Sequence, residues 1–258
     1  MERAFAVLRS FTDHEPVWAP ADLARRLKLA RPTTLRLVGA LEREGMLQRV
    51  GPATSYRLGP RAIQLGAVAQ RANQLPLVAQ DQLRNLARVT GETATLEVLA
   101  DHEIMVLAES RGSFRGSSAE RVGARWPAHA AATGKVLLAA AEREDPDAWA
   151  RFVSASRRLH RFTEHTITTL PRFRAVLAQV DREGYAVAQE ELETGYVAIG
   201  APVRDASGRT VAAVCLGGPS TRLSPRRLPA LVRRVRAAAD AVSRQLGYET
   251  AISRGGTR

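Results

Sequence analysis

The sequence predicts an α+β fold in two domains: a small N-terminal domain of helices closed by a short hairpin, and a larger C-terminal domain mixing helices with antiparallel strands. Three observations carry this. The chain has 258 residues, 45% of them hydrophobic, enough for two modest cores. Leucines between residues 20 and 50 recur at helical spacing and then give way to two short strand-like runs around a Gly-Pro turn. From residue 77 onward, strand-like runs are joined by tight turns, and no regular alternation of strand and helix marks a parallel sheet.

The elements follow in order. Phe5, Leu8 and Phe11 share one face of a first helix over residues 4–11. Pro20 suits the first turn of a second, in which Leu23, Ala24 and Leu27 are the apolar stripe and Arg25 and Arg26 point away. After a short turn Pro32 opens a third helix, with Leu37, Val38 and Leu41 inward and Gly45 as its stop. Two helices joined by so short a turn form a helix-turn-helix, whose second helix enters the major groove of DNA by its N-terminal residues. Those residues are Arg31, Thr33, Thr34 and Arg36, all expected to be exposed: arginines and small hydroxyls reach phosphates and base edges without an opposing carboxylate. Leu47–Val50 and the returning Tyr56–Leu58 form a wing, on which Arg49 and Arg57 can meet phosphate or the minor groove.

A connecting helix is expected over residues 60–76, with Ile63, Leu65 and Val68 at helical spacing and Pro76 interrupting it. Beyond it come an amphipathic helix at 78–91, a hairpin around "ADHE", an Ala-rich helix at 129–142, a helix at 170–184, two long strands around "DASG" and a last helix from about Pro225 to Leu246. The resulting domains are 1–59 for the winged helix-turn-helix, 60–76 for the linker, 77–248 for the second domain and 249–258 for a flexible tail.

Charge agrees with a polyanionic partner. The net charge is +12, and the first 70 residues hold eleven basic and six acidic side chains. Nearly all the basic residues are arginines, Lys28 and Lys135 being the exceptions, so part of the excess reflects composition. The single cysteine, Cys215, excludes an internal disulfide and a cysteine metal cluster, and fits a reducing, cytoplasmic setting. No apolar run is long enough for a membrane span, and no membrane partner is expected.

An enzyme is the rival class. The histidines, at 14, 102, 129, 160 and 165, form no HExxH pair, and no GxSxG elbow is present. His160 and His165, five apart, have poor metal spacing, and "AATGK" lacks the glycine and the hydroxyl of a phosphate loop. No catalytic residue, cofactor or metal is therefore assigned. A sensory module acting through a protein partner is a third reading; it predicts no operator binding.

Several stretches have a familiar order: "ADLARRLKLARPTTLRLVGALEREGML", "YRLGPRAIQLG", "VTGETATLEVL", "RVGARWPAHAAATGKVLLA", "QVDREGYAVAQEELETGYVAIGAPV" and "GRTVAAVCLGGP". Together they resemble the IclR family of bacterial transcription regulators over nearly the whole chain. The most specific part is Pro127, His129, Gly134 and Lys135 combined with the wing "YRLG". The resemblance implies a winged helix-turn-helix, a GAF-like effector domain, and homodimers or tetramers on near-palindromic double-stranded operators. It puts Arg31 just before the recognition helix, and puts Pro32 where the family usually has a capping serine. It also implies an effector pocket between the sheet and the loop entering the "GK" helix. There the backbone of Ala132 and Thr133 offers N–H groups to a carboxylate, Trp126 walls the pocket, and Ser118, Ala188, Ala198, Cys215 and Gly217 line it. So apolar a lining, with few polar anchors, favours a larger, mainly apolar effector such as an aromatic acid over a small oxo-acid.

Overall fold

The computed structural model describes residues 1–12, 15–51, 54–114, 121–155 and 159–249. Ser118 and the tail from residue 250 lie outside the described residues. The chain separates into two compact units, Met1–Gln74 and Leu75–Arg258.

In the first unit, α1 (Glu2–Arg9), α2 (Pro20–Arg26) and α3 (Arg31–Arg43) pack around Val7, Leu23, Val38, Leu47 and Tyr56. The wing is an antiparallel pair, β1 (Leu47–Val50) with β2 (Ser55–Leu58). Trp18 fastens it to the bundle: its backbone bridges to Tyr56, and its indole N–H donates to the Ser10 carbonyl at 2.9 Å. Gly45, at φ +70°, turns the chain out of α3 in the left-handed region that glycine adopts without a Cβ penalty. Gly59 is fixed by contact instead, since a Cβ there would lie 2.3 Å from the Gly45 carbonyl oxygen. α4 (Pro60–Ala72) follows.

Pro76 does not interrupt a helix. It sits in the first turn of α5 (Gln74–Thr90), where a missing N–H costs no helical hydrogen bond. The break between helices falls at Asn73, whose extended backbone (φ −91°, ψ 113°) ends α4.

The second unit is a six-stranded antiparallel sheet in the order β5-β4-β3-β8-β7-β6. Its strands are β3 (Thr93–Ala100), β4 (Glu103–Ser110), β5 (Arg125–Pro127), β6 (Ala186–Gln189), β7 (Tyr196–Arg204) and β8 (Thr210–Pro219). One face is covered by α5 and α9 (Leu228–Gln245), through Leu83, Leu86, Val235 and Val242 against Leu96, Ile199, Val214 and Leu216. The other face is covered by α6 (Ala132–Glu144), α7 (Pro146–Ala155) and α8 (Leu170–Glu183), around Leu138, Phe152, Phe173 and Leu177. α6 is buried over its first ten residues, so alanines suit it: it is sandwiched on every side rather than amphipathic. Sequence reasoning did not anticipate α7, the short strand β5 or the 3-10 turn Ala128–Ala130.

Candidate functional site

In the first unit the exposed end of α3 carries Arg31 and Arg36, and neither makes an ion pair with any described residue. Thr33 is half-buried beside them. Thr34, expected to be exposed, is not: it is 0% exposed and its hydroxyl donates to the Ala30 carbonyl at 3.3 Å. The cause is helical phase. Thr34 stands one turn before Val38 and belongs to the stripe that faces the core. Leu35 takes the outward place, at 55% exposure and one turn after Arg31. No side chain caps α3; Pro32 lies in its first turn and Ala30 is the cap residue.

The remaining arginines are more engaged. Arg25 pairs with Asp22 on its own helix. Arg49 donates to Glu42 at 3.3 Å and to the Tyr56 hydroxyl at 3.1 Å, tying the wing to α3. Arg57 donates to Gln48 across the hairpin at 3.1 Å. Each keeps most of its surface in solvent, so a phosphate can compete for it.

In the second unit, sheet register brings the expected pocket residues together. Ala188, Ala198 and Gly217 stand side by side on β6, β7 and β8, with Thr93 of β3 completing the row. Cys215 belongs to the next row, between Thr95 and Gly200. Cross-strand neighbours share a face, and this is the face α6 covers. The N-terminus of α6 rests directly on it, since a Cβ on Gly200 would come within 2.8 Å of the Thr133 backbone nitrogen. Trp126, half-buried on the edge strand β5 opposite Ile104, packs against the cluster beneath α6. At the end of the Gly217 row a cleft of about 240 Å³ is lined by Thr93, Phe114, Tyr196 and Arg222. Glu92 and Arg222 close its floor with a bidentate ion pair at 2.6 and 2.8 Å, and Phe114 stacks over the guanidinium.

The expectation of few polar anchors does not hold on this face. Glu97 of β3 is only 3% exposed, and it accepts the hydroxyls of Thr95 (2.5 Å) and Thr133. Burial pushes its carboxyl above the usual carboxylate range, although the two hydroxyls pull the other way. The Thr133 hydroxyl, beside the backbone N–H groups expected to serve an effector, is thus spent on Glu97. The signal was available: Thr93, Thr95 and Glu97 alternate in "TATLE" and so share one face of the strand.

Two further buried groups fix the α6 entrance. Lys135 pairs with Glu191 and also approaches the Val187 carbonyl. Burial drives the lysine pKa down and the Glu191 pKa up, so desolvation outweighs their mutual attraction in both. His129, in the 3-10 turn ahead of α6, meets the His160 carbonyl through Nε2 at 2.9 Å, and burial lowers its pKa. His165 and Glu164 are exposed and 3.6 Å apart. Among the described residues no cluster of three metal-ligating side chains occurs, and no helix is long and apolar enough to cross a membrane.

A winged helix-turn-helix joined to a separate domain with a helix entrance seated over a sheet defines a ligand-responsive DNA-binding regulator. Comparison with known proteins gives it a family. Residues 68–244 match the model of the bacterial transcriptional regulator IclR C-terminal domain, and residues 1–51 match the IclR helix-turn-helix domain. The chain belongs to the IclR family of transcription regulators; it is a DNA-binding protein with an effector domain, not an enzyme. It is 33% identical to the glycerol operon regulatory protein of Streptomyces griseus, over 96% of each chain. A transcriptional regulator from Rhodococcus sp. RHA1 is 31% identical with a TM-score of 0.77, over 95% of this chain and 96% of that one. An IclR homologue from Microbacterium hydrocarbonoxydans, solved with 4-hydroxybenzoate, is 28% identical with a TM-score of 0.78, over 95% and 97% of the two chains.

Proposed function

We propose that this regulator binds a near-palindromic operator as a homodimer or tetramer, and that an aromatic or otherwise mainly apolar organic acid tunes that binding from the α6-facing side of the sheet. The observation that carries the effector class is the run Ala188, Ala198 and Gly217, three neighbouring positions without a polar side chain on the face that α6 covers. The similarity to a homologue that holds 4-hydroxybenzoate points the same way. Burial of apolar ligand surface there contributes about 25 cal/mol per Å².

On DNA, Arg31, Thr33 and Arg36 read the major groove, Leu35 offers an apolar contact for a thymine methyl, and Arg25, Arg49 and Arg57 hold phosphates. Residues 60–76 connect the domains and carry subunit contacts. α4 buries none of its residues, and Leu65 and Val68, one turn apart on the same face, are 53% and 49% exposed, a patch that a second copy would cover. Effector binding shifts the balance between arrangements of the paired effector domains, and the linkers pass that shift to the spacing of the recognition helices.

Arg36→Ala tests the DNA reading. It removes an exposed side chain without an ion-pair partner among the described residues, so thermal unfolding stays unchanged. Affinity for the promoter fragment beside the protein's own gene is expected to fall by about 1–3 kcal/mol. Fluorescence anisotropy at matched salt measures it, and an unchanged Kd removes Arg36 from the interface.

A further inference from the structure

The Glu97 carboxyl is buried beside the proposed effector pocket with hydroxyls as its polar partners. Thr133 stands at the α6 entrance and Thr95 adjoins Cys215, and the hydroxyls of these two residues both point at this one carboxyl. The groups around it supply no compensating cation among the described residues. From α6, Lys135 turns its amine to Glu191 and the Val187 carbonyl. From β4, Val106 pairs with Glu97, while Glu109 stands opposite Thr95 with one oxygen on Arg111 and the other buried without a hydrogen-bond partner. From β8 and β7 come Ala213, Cys215, Gly200 and Pro202. His129, in the 3-10 turn ahead of α6, turns its Nε2 to the His160 carbonyl, and burial lowers its pKa.

An effector carboxylate at the α6 entrance would therefore meet an acidic wall. If Glu97 is ionised, both hydroxyls are donated to it and a second anion arrives close by in a low-dielectric site, which is costly. If Glu97 is neutral, the conflict disappears. Its new O–H donates to the Thr133 oxygen, and the Thr133 hydroxyl is released to donate to the effector.

We infer that Glu97 is the specificity-determining residue of the pocket: it admits an anionic effector only together with a proton. That proton comes from solvent and forms the O–H bond on Glu97; no other bond changes. The inference rests on the pocket proposed above but is separable from the identity of the effector. The sign follows from linkage. Burial already raises the Glu97 pKa in the free protein, and a bound anion raises it further. Between those two values binding takes up a proton, and affinity falls about tenfold for each unit of rising pH. Below the free-protein value it is flat.

Isothermal titration of the full chain with benzoate and its neutral isostere benzamide, between about pH 6 and 9, tests this. For the wild type, benzoate should weaken with rising pH and take up as much as one proton, read from buffers of different ionisation heat, while benzamide stays flat. Glu97→Gln mimics the neutral acid, since its amide donates to Thr133. It should bind benzoate without pH dependence and at least tenfold tighter than wild type at the alkaline end. Thr133→Val keeps Glu97 but removes the linking hydroxyl, and should weaken the low-pH plateau for benzoate by about fivefold or more. Benzoate profiles that coincide in wild type and Glu97→Gln overturn the inference and leave the acid effector standing. If wild type takes benzamide but refuses benzoate, and Glu97→Gln admits both, the inference stands and the acid-effector reading falls. If neither protein takes either probe, both fall.

Discussion

Lys135→Ala is expected to destabilise the effector domain by about 3–5 kcal/mol, the cost of leaving one partner of a buried ion pair uncompensated. Lys135 is 1% exposed and its amine reaches Glu191, which is itself buried and has a second carboxyl oxygen without a hydrogen-bond partner. Removing the amine leaves the buried Glu191 carboxyl with only the Gln189 backbone and the charge of Arg172 to offset its desolvation, so the carboxyl takes up a proton or the loop opens. That loop is held from several directions. Thr163 and Thr166 donate to the Glu190 and Glu191 carbonyls at 2.6 Å each, and Glu190 sits at φ 54°, a left-handed conformation uncommon for a residue with a Cβ. Opening it would disturb both β6 and the start of α6. The control is the double variant Lys135→Met with Glu191→Leu, which removes both charges and should recover most of the loss. Urea unfolding of the two variants measures the difference. A single variant as stable as wild type would mean that water reaches Glu191 in solution.

The two halves of the molecule were not equally legible in the sequence. In the N-terminal unit, leucine spacing, prolines in first turns and the Gly45 stop located α2, α3 and the wing, because each signal is local. Thr34 differs from its expected exposure because it is in helical phase with Val38 and Leu41, and that phase, legible in the sequence, decides burial over the polarity of its hydroxyl. Pro76 reads in the sequence as an interruption because a proline inside an apolar-periodic run breaks a helix unless it falls in the first turn, and only the extended backbone of Asn73 shows that it does. In the effector domain, α7 had a readable signal in Trp149 and Phe152 after Pro146, one helical turn apart on a buried face. β5, three residues on a sheet edge, had almost none. The pocket row came from resemblance, and register then placed Ala188, Ala198 and Gly217 side by side. Glu97 was passed over because a glutamate in a strand is usually solvated. What buries it is tertiary: α6 settles on the sheet and brings the Thr133 hydroxyl to it.

That close seating of α6 makes glycine indispensable at two places, and the more severe is Gly134. A Cβ on Gly134 would lie 2.0 Å from the Ala128 carbonyl oxygen and 2.5 Å from the Ala128 Cα. Both are backbone atoms of the 3-10 turn, and Ala128 is itself fully buried, so no flexible side chain can give way. Gly134→Ala must therefore separate the turn from the first turn of α6, at about 1–3 kcal/mol or more of stability. Movement in one direction carries Thr133 off Gly200 and Glu97; movement in the other pushes the turn and His129 away from the His160 carbonyl. Either displaces the groups that border the pocket, while the helix-turn-helix unit has its own core around Val7, Leu23 and Val38. The expected phenotype is a protein that still binds operator DNA at low temperature, has a lower Tm and has lost its response to effector. Operator titrations with and without benzoate, beside a thermal melt, read all three. Retention of both the wild-type Tm and the wild-type effector response would show that the α6 entrance yields far more easily than its packing implies.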